Sequence, residues 1–395
     1  MTEKLSDNVV EDLIRVRRHL HRHPELSNHE VETSRFIFDR LKDFGLEPQF
    51  IDETNRTGVF ADIDSGKDGP RVIYRSDIDA LPVTERTGLD FASENEGVMH
   101  ACGHDFHMTV LLGTARELIR RKDEWRGKIR VVFQEGEENF TGARKVIERG
   151  LLDDMDYAIA VHTWPDIPAG TMGLRKGPMM ASTTSIKIIV KGSGGHGAHP
   201  HRSIDPIVAG AHIVTAVQTI ISRNLPPMDS AVITFGTFHA GKAGNVIPDE
   251  AVIEGTFRTL SNEAYELLNK RLPELIEAQA RSFGATAEVI LTEGVKVLNA
   301  DPEVVDVFAA SADTSIGEDN LRWLPQPSMG SEDFSLYLDR VPGALVRLGT
   351  STDDPQTKRP LHHAEILFDE KALPTGVAFM TQGLIDLTQK DPKKS

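Results

Sequence analysis

Apolar positions along this chain recur with two different periods. Val9, Val10, Leu13, Ile14 and Leu20 fall on one helical face, and Pro24 stops that helix. Val31 to Phe44 reads as a second helix, with Gly45 placed as its C-terminal cap. Short apolar runs then predict strands: VFADI from Val59, RVIYRS from Arg71, KIRVVFQ from Lys128 and YAIAVH from Tyr157. Helical patterns lie between several of them, notably after His104 and from Gly142. Alternating strands and helices predict an α/β sheet covered on both faces, whose sites form in loops past the strand ends.

The rhythm changes near Thr183. TTSIKIIVKG alternates as a strand, and Asp205 with Pro206 opens a helix as N-cap and first turn. Strands follow at AVITFGTF from Ala231 and EAVIEGTFR from Glu250. Ser261 caps another helix, in which Pro273 predicts a kink or a shifted start, and ATAEVILT from Ala285 is a last strand. The order β-α-β-β-α-β is the ferredoxin-like pattern. Residues 182–294 are therefore expected to form an inserted domain between catalytic segments 1–181 and 295–395. Asp301 and Pro302 open a further helix, and the α/β pattern then resumes.

Charge narrows the partners. The 395 residues carry 44 Lys and Arg against 60 Asp and Glu, a net charge of −16, which repels nucleic acid and anionic membrane surfaces. Apolar runs fall short of the roughly 20 residues that span a bilayer. The opening MTEKLSDNVVEDL lacks the basic start and apolar stretch of a signal peptide. One cysteine cannot close an internal disulfide, so a cytoplasmic location is expected.

That cysteine lies in MHACGHD, and several other segments also end in side chains able to bind metal. Cys102 and His104 come first, with both side chains expected to face one ion from an extended loop. Glu137 and Glu138 follow the strand KIRVVFQ, His162 ends YAIAVH, His362 sits in RPLHHAE, and Asp77 and Asp79 close another strand. Thiolate, imidazole and carboxylate recurring past strands are ligands that Zn²⁺ accepts. Of two adjacent glutamates, one can bind metal while the other moves a proton. A redox-sensing thiol and a non-catalytic metal- or ligand-binding protein are the competing readings. Ser331 to Phe334 reads as a capped helix start whose carboxylates support the site from behind.

MHACGHD, FQxxEE, AVHTWP, GSGGHGAHPH, GNVIPD, MGSEDF and PLHH, in this order, resemble the metal-dependent amidohydrolases. These are the hippurate and N-acyl-amino-acid hydrolases, the auxin-conjugate hydrolases and related peptidases; RRHLHRHPELS and DIDALP fit as well. The resemblance implies an α/β, mixed-sheet catalytic domain with a dinuclear metal site and an inserted α+β ferredoxin-like lid, through which members dimerise. It implies two divalent ions (zinc or manganese, with cobalt or nickel as alternatives) held by Cys102, His104, Glu138, His162 and His362, with Glu137 as general base and acid. On the lid, His196 would reach the scissile carbonyl oxygen, while Asn245 and Arg258 would hold a substrate carboxylate. The implied reaction is hydrolysis of N-acyl amino acids, with a dipeptidase, aminopeptidase or carboxypeptidase as the alternative. The chain departs from the family pattern at Glu135-Gly136, where the family often has Pro-Ala, at Phe106-His107, and at His363-Ala364 after His362.

Overall fold

Strands that read as continuous apolar runs are buried on both faces. Val72, Ile73 and Tyr74 are enclosed in Arg71–Asp77, Val131, Val132 and Phe133 in Lys128–Gln134, and residues 158–161 in Tyr157–Pro168. The structure, a computed structural model, describes residues 5–391. The first four residues, where the opening segment begins, and the last four lie outside them. The described chain forms two compact units. One comprises residues 5–179, Asn299–Gln326 and residues 333–391; the other comprises Met180–Leu298 and Pro327–Glu332.

The first unit is built on an eight-stranded mixed sheet. Its order is Gln49–Asp52, Thr57–Asp64, Lys128–Gln134, Arg71–Asp77, Tyr157–Pro168, Gly343–Ser351, Met172–Leu174 and Leu321–Trp323. The central strands Lys128–Gln134, Arg71–Asp77, Tyr157–Pro168 and Gly343–Ser351 run parallel, while Thr57–Asp64 is antiparallel to its neighbours. The parallel set directs its C-terminal ends to one edge, where loops can gather polar groups. Helix Asp7–Arg22 buries Val9, Leu13, Val16 and Leu20, the stripe its spacing predicts. Helix His104–Arg120 is enclosed nearly all round and packs against helix Ala372–Thr388.

The second unit is a four-stranded antiparallel sheet ordered Ala231–Ala240, Glu250–Thr259, Thr183–Lys191, Thr286–Val295. In sequence, this sheet and the two long helices run strand, helix, strand, strand, helix, strand, with the short strands Gly195–His196 and Val246–Ile247 forming a separate ladder. Ile186, Ile188 and Val190 alternate inward from one strand and meet Ile213 and Val217 of helix Pro206–Asn224, and Leu268, Leu272 and Ile276 of helix Asn262–Ser282. Asp205 Oδ1 accepts from the Ile207 and Val208 amides, and Ser261 Oγ accepts from that of Ala264, which fixes both helix starts. The second helix passes through Pro273 as one element, and its start is not shifted.

Candidate metal centre

The candidate ligands of the first unit come from loops and strand ends around the parallel strands. Cys102 and His104 do not share an extended loop. Cys102 lies in the loop, and His104 is the first residue of the helix His104–Arg120. Gly103 between them adopts φ 83°, and a Cβ there would stand 2.5 Å from Thr163 Oγ1, so only glycine fits. His162 does not end its strand. TWP continues it to Pro168 because Gly343–Ser351 pairs alongside, Arg347 opposite His162 and Gly349 opposite Trp164. His362 adopts φ 70°, and its amide donates to Ala101 O at 2.9 Å, which pins this segment beside Cys102. His363 Nδ1 instead accepts from the Glu365 amide.

These residues converge. Ligand-capable atoms of Cys102, His104 and His162 lie within 4.8 Å of one another, and so do those of Cys102, Glu138 and His362. Cys102 belongs to both groups. Its Sγ is 3.5 Å from His162 Nε2, and Glu138 Oε1 is 3.8 Å from His104 Nε2 and 3.5 Å from His362 Nε2. Glu137, buried, falls within the same spacing of His104 and Glu138. His104 Nε2 and Glu138 Oε1 are closed off from solvent without a hydrogen-bond partner. A carboxylate oxygen and an imidazole nitrogen stranded face to face are costly unless a cation lies between them. The clusters therefore fit a metal site, and sulfur, nitrogen and oxygen donors suit a divalent transition ion.

The local field agrees. Burial opposes charge on His104, yet Asp77, Asp79 and Glu138 outweigh it and push its pKa up to about 10. Burial, followed by the charges of Asp79 and Asp77, pushes Glu138 up to about 7 despite His104. Burial, with His107 and Arg347, holds His162 well below its ordinary value, in the neutral form that ligates. A field that holds a proton on a buried imidazole favours any cation placed there.

The supporting residues lie mostly inside the quoted motifs, with Glu30 and Arg75 outside them. Asp79 Oδ2 accepts from Ser27 Oγ at 2.6 Å and from the Glu138 amide at 3.0 Å. Glu30 Oε1 accepts from the Gly136 amide at 2.8 Å, so two buried carboxylates hold the glutamate loop. Buried Arg75 joins Asp77 at 2.8 Å and Asp333 at 2.7 Å. Asp333 also accepts from Gln134 Nε2 and the Ala143 amide. Ser331 to Phe334 is thus not a capped helix start. The helix Ser335–Leu338 follows Phe334 with no side-chain cap, because Asp333 is committed to Arg75 and Gln134. Asp77 and Asp79 were visible as acids at a strand end; Thr163 lies within AVHTWP, but nothing in the sequence marked a role for it or for Arg75.

In the second unit, His196 and Asn245 come together. His196 pairs with Val246 in a two-residue ladder, and the Gly197 amide donates to Asn245 O at 2.9 Å. Both side chains are exposed. Arg258 lies half-buried on Glu250–Thr259, and its Nη1 donates to Ser331 Oγ at 2.6 Å and to Met329 O at 3.2 Å.

A mixed α/β unit carrying a Cys, His and Glu cluster, with Cys102, His104 and His162 buried, Glu138 half-buried and His362 exposed, fits a metal-dependent hydrolase of the amidohydrolase and metallopeptidase class. The chain belongs to Peptidase family M20/M25/M40, whose profile matches residues 73–386. It is 42% identical over 362 residues to the N-acetyl-L-cysteine deacetylase of Bacillus subtilis, covering 91% of this chain and 84% of that protein. It is 39% identical to the N-acetyldiaminopimelate deacetylase of Streptococcus uberis, covering 95% of this chain and 100% of that one. Among solved structures, the Bacillus subtilis YXEP protein, described as a dinuclear metal binding peptidase from the M20 family, superposes with a TM-score of 0.86. The identity there is 35%, over 97% of this chain and 99% of that one. Among the described residues, no helix is long and apolar enough to cross a membrane.

Proposed function

We propose that the protein hydrolyses the amide bond of N-acyl amino acids. The carrying observation is that two three-residue donor groups share Cys102 beside the buried carboxylate of Glu137. Cys102, His104 and His162 would hold one divalent ion, and Cys102, Glu138 and His362 a second. When bound, such ions (zinc or manganese, with cobalt or nickel as alternatives) supply Lewis acidity that makes water a nucleophile near neutral pH and polarises the substrate carbonyl. Glu137 takes a proton from the attacking water. As the carbon–oxygen bond forms and the carbon–nitrogen bond breaks, it delivers that proton to the departing amine. His196 donates to the carbonyl oxygen as negative charge gathers there. Asn245 and Arg258 receive the substrate's carboxylate, Arg258 through its planar fork. The printed names of the deacetylase relatives support the acyl-amino-acid assignment. In this reading the second unit is a ferredoxin-like lid, supported by its element order, and it carries the contact of a homodimer or homo-oligomer, supported by the family resemblance; a cytoplasmic location is supported by the single cysteine.

Glu137→Gln tests the assignment. Turnover of N-acetyl amino acids falls about 100- to 10,000-fold, while metal content by mass spectrometry and the circular dichroism spectrum stay as in the parent. Near-parental turnover removes Glu137 from the role, and faster hydrolysis of free dipeptides by the parent protein moves the substrate to peptides.

A further inference from the structure

Thr163 and His107 form a buried bracket around the candidate ligands. The Thr163 amide donates to His107 Nε2 at 2.8 Å, so that nitrogen carries no proton. The proton is therefore on Nδ1, which donates to Asp77 Oδ1 at 2.5 Å. Thr163 in turn holds both neighbours. Its hydroxyl donates to the Cys102 carbonyl at 2.8 Å, and its own carbonyl accepts from His162 Nδ1 at 2.7 Å. That last bond leaves His162 Nε2 with a free lone pair facing Cys102 Sγ. Asp77 is itself fixed by Arg75 at 2.8 Å. All of these side chains are shut off from solvent.

The same geometry resolves a competition. Asp77, His104 and His107 also bring ligand-capable atoms within 4.8 Å of one another, which by spacing alone is a rival metal site. His107 cannot serve it without giving up either Asp77 or the Thr163 amide, since both ring nitrogens are engaged.

We propose that His107 and Thr163 are positioning residues: His107, anchored on Asp77, fixes Thr163, and Thr163 sets the backbone of Cys102 and the tautomer and ring orientation of His162. The inference rests on the metal reading of Cys102 and His162. In such sites the groups that orient a ligand typically matter about 10- to 100-fold in metal affinity or activity. Thr163→Val removes the hydroxyl, with its bond to the Cys102 carbonyl and its 3.3 Å contact with His107 Nε2, and keeps the size of the side chain. Thr163→Ser keeps the hydroxyl. His107→Leu removes the whole anchor, and His107→Gln retains an acceptor for the Thr163 amide.

The test is titration of the metal-depleted full-length protein with Co²⁺, read as affinity, as stoichiometry and as the thiolate-to-cobalt absorption band, with Cys102→Ser as reference. Thr163→Val and His107→Leu bind Co²⁺ about 10- to 100-fold more weakly, with a shifted band and kcat lowered more than KM is changed. Thr163→Ser and His107→Gln recover most of the affinity. Parental affinity and spectrum in folded Thr163→Val and His107→Leu overturn the proposal. Loss of one whole equivalent in His107→Leu, with Thr163→Val unaffected, makes His107 a ligand and also overturns it. A parent protein whose cobalt spectrum is unchanged by Cys102→Ser removes the metal reading instead, an outcome that these variants do not mimic.

Discussion

Replacing Arg75 by methionine tests whether charge buried behind the site holds it up. Arg75, Asp77 and Asp333 are each fully enclosed. The guanidinium reaches Asp77 Oδ2 at 2.8 Å, Asp333 Oδ1 at 2.7 Å and Gln134 Oε1 at 3.2 Å. Methionine fills similar space but strands two carboxylates without this cation, and breaking a buried pair in this way costs about 3–5 kcal/mol. That is a large share of the roughly 5–15 kcal/mol that separates folded from unfolded domains. Trp125, Trp164 and Trp323, the three tryptophans of the chain, all belong to the first unit. Tryptophan emission during urea unfolding therefore follows the unit that contains Arg75. Chelator keeps bound ions from shifting the curve. With a slope of about 3 kcal/mol per molar, the midpoint falls by about 1–1.7 M. Arg75→Lys keeps the charge but loses the fork and falls between the two. A drop below about 1 kcal/mol for Arg75→Met refutes the idea that these carboxylates depend on Arg75.

Two further outcomes follow from the loops around the cluster. Gly103→Ala forces a side chain onto a φ of 83° and to within 2.5 Å of Thr163 Oγ1; it costs about 1–2 kcal/mol from the backbone alone and weakens Co²⁺ binding, measured by urea unfolding and metal titration. Burial, then the charge of Asp79, pushes Glu30 up to about 8 from an ordinary 4.5. A raised folded-state pKa means that the stability it confers is full below about pH 4.5 and is lost as pH rises through about 8. Glu30→Gln, which keeps the acceptor for the Gly136 amide, therefore gains on the parent between those values, by an amount on the order of a few kcal/mol, in chelator-treated protein followed by urea unfolding; parallel stability curves from pH 4.5 to 9 contradict it.

What could be read from the sequence divides along a physical line. Strands buried on both faces, such as Lys128–Gln134, announce themselves as unbroken apolar runs, and helix starts at Asp205 and Ser261 announce themselves through their capping chemistry. Cys102, His104, Glu138, His162 and His362 stood out through their joint recurrence past strands and the family resemblance, and folding brings them together in two groups that share Cys102. The strand Gly343–Ser351 was passed over, although it pairs with the strand that bears His162, because its small and polar residues interrupt the apolar run. The roles of Thr163 and Arg75 gave no signal for a different reason. Their importance lies in which carbonyl or carboxylate they meet, and the Cys102 carbonyl that Thr163 holds and the Asp333 that Arg75 holds are dozens to hundreds of residues away. A hydroxyl inside a strand looks the same in sequence whether or not it carries such a bond.

The buried acids around His104 also link the site to the stability of the unit that contains it. Asp77, Asp79 and Glu138 all act on one imidazole, and against the opposition of burial they push its pKa up to about 10. Arg75 answers Asp77 from behind, and Ser27 and the Glu138 amide answer Asp79, but Glu138 Oε1 is left without a hydrogen bond. Such an arrangement is unfavourable on its own, since like charges buried together raise one another's energy. It becomes favourable when divalent charge is added, so ion binding and folding draw on the same free energy. The loop 135–138 then has reason to be held by backbone donors, Gly136 to Glu30 and Glu138 to Asp79, rather than by side chains that a cation would compete for. The scaffold fixes Glu138 through its own amide and leaves its Oε1 facing His104 and His362.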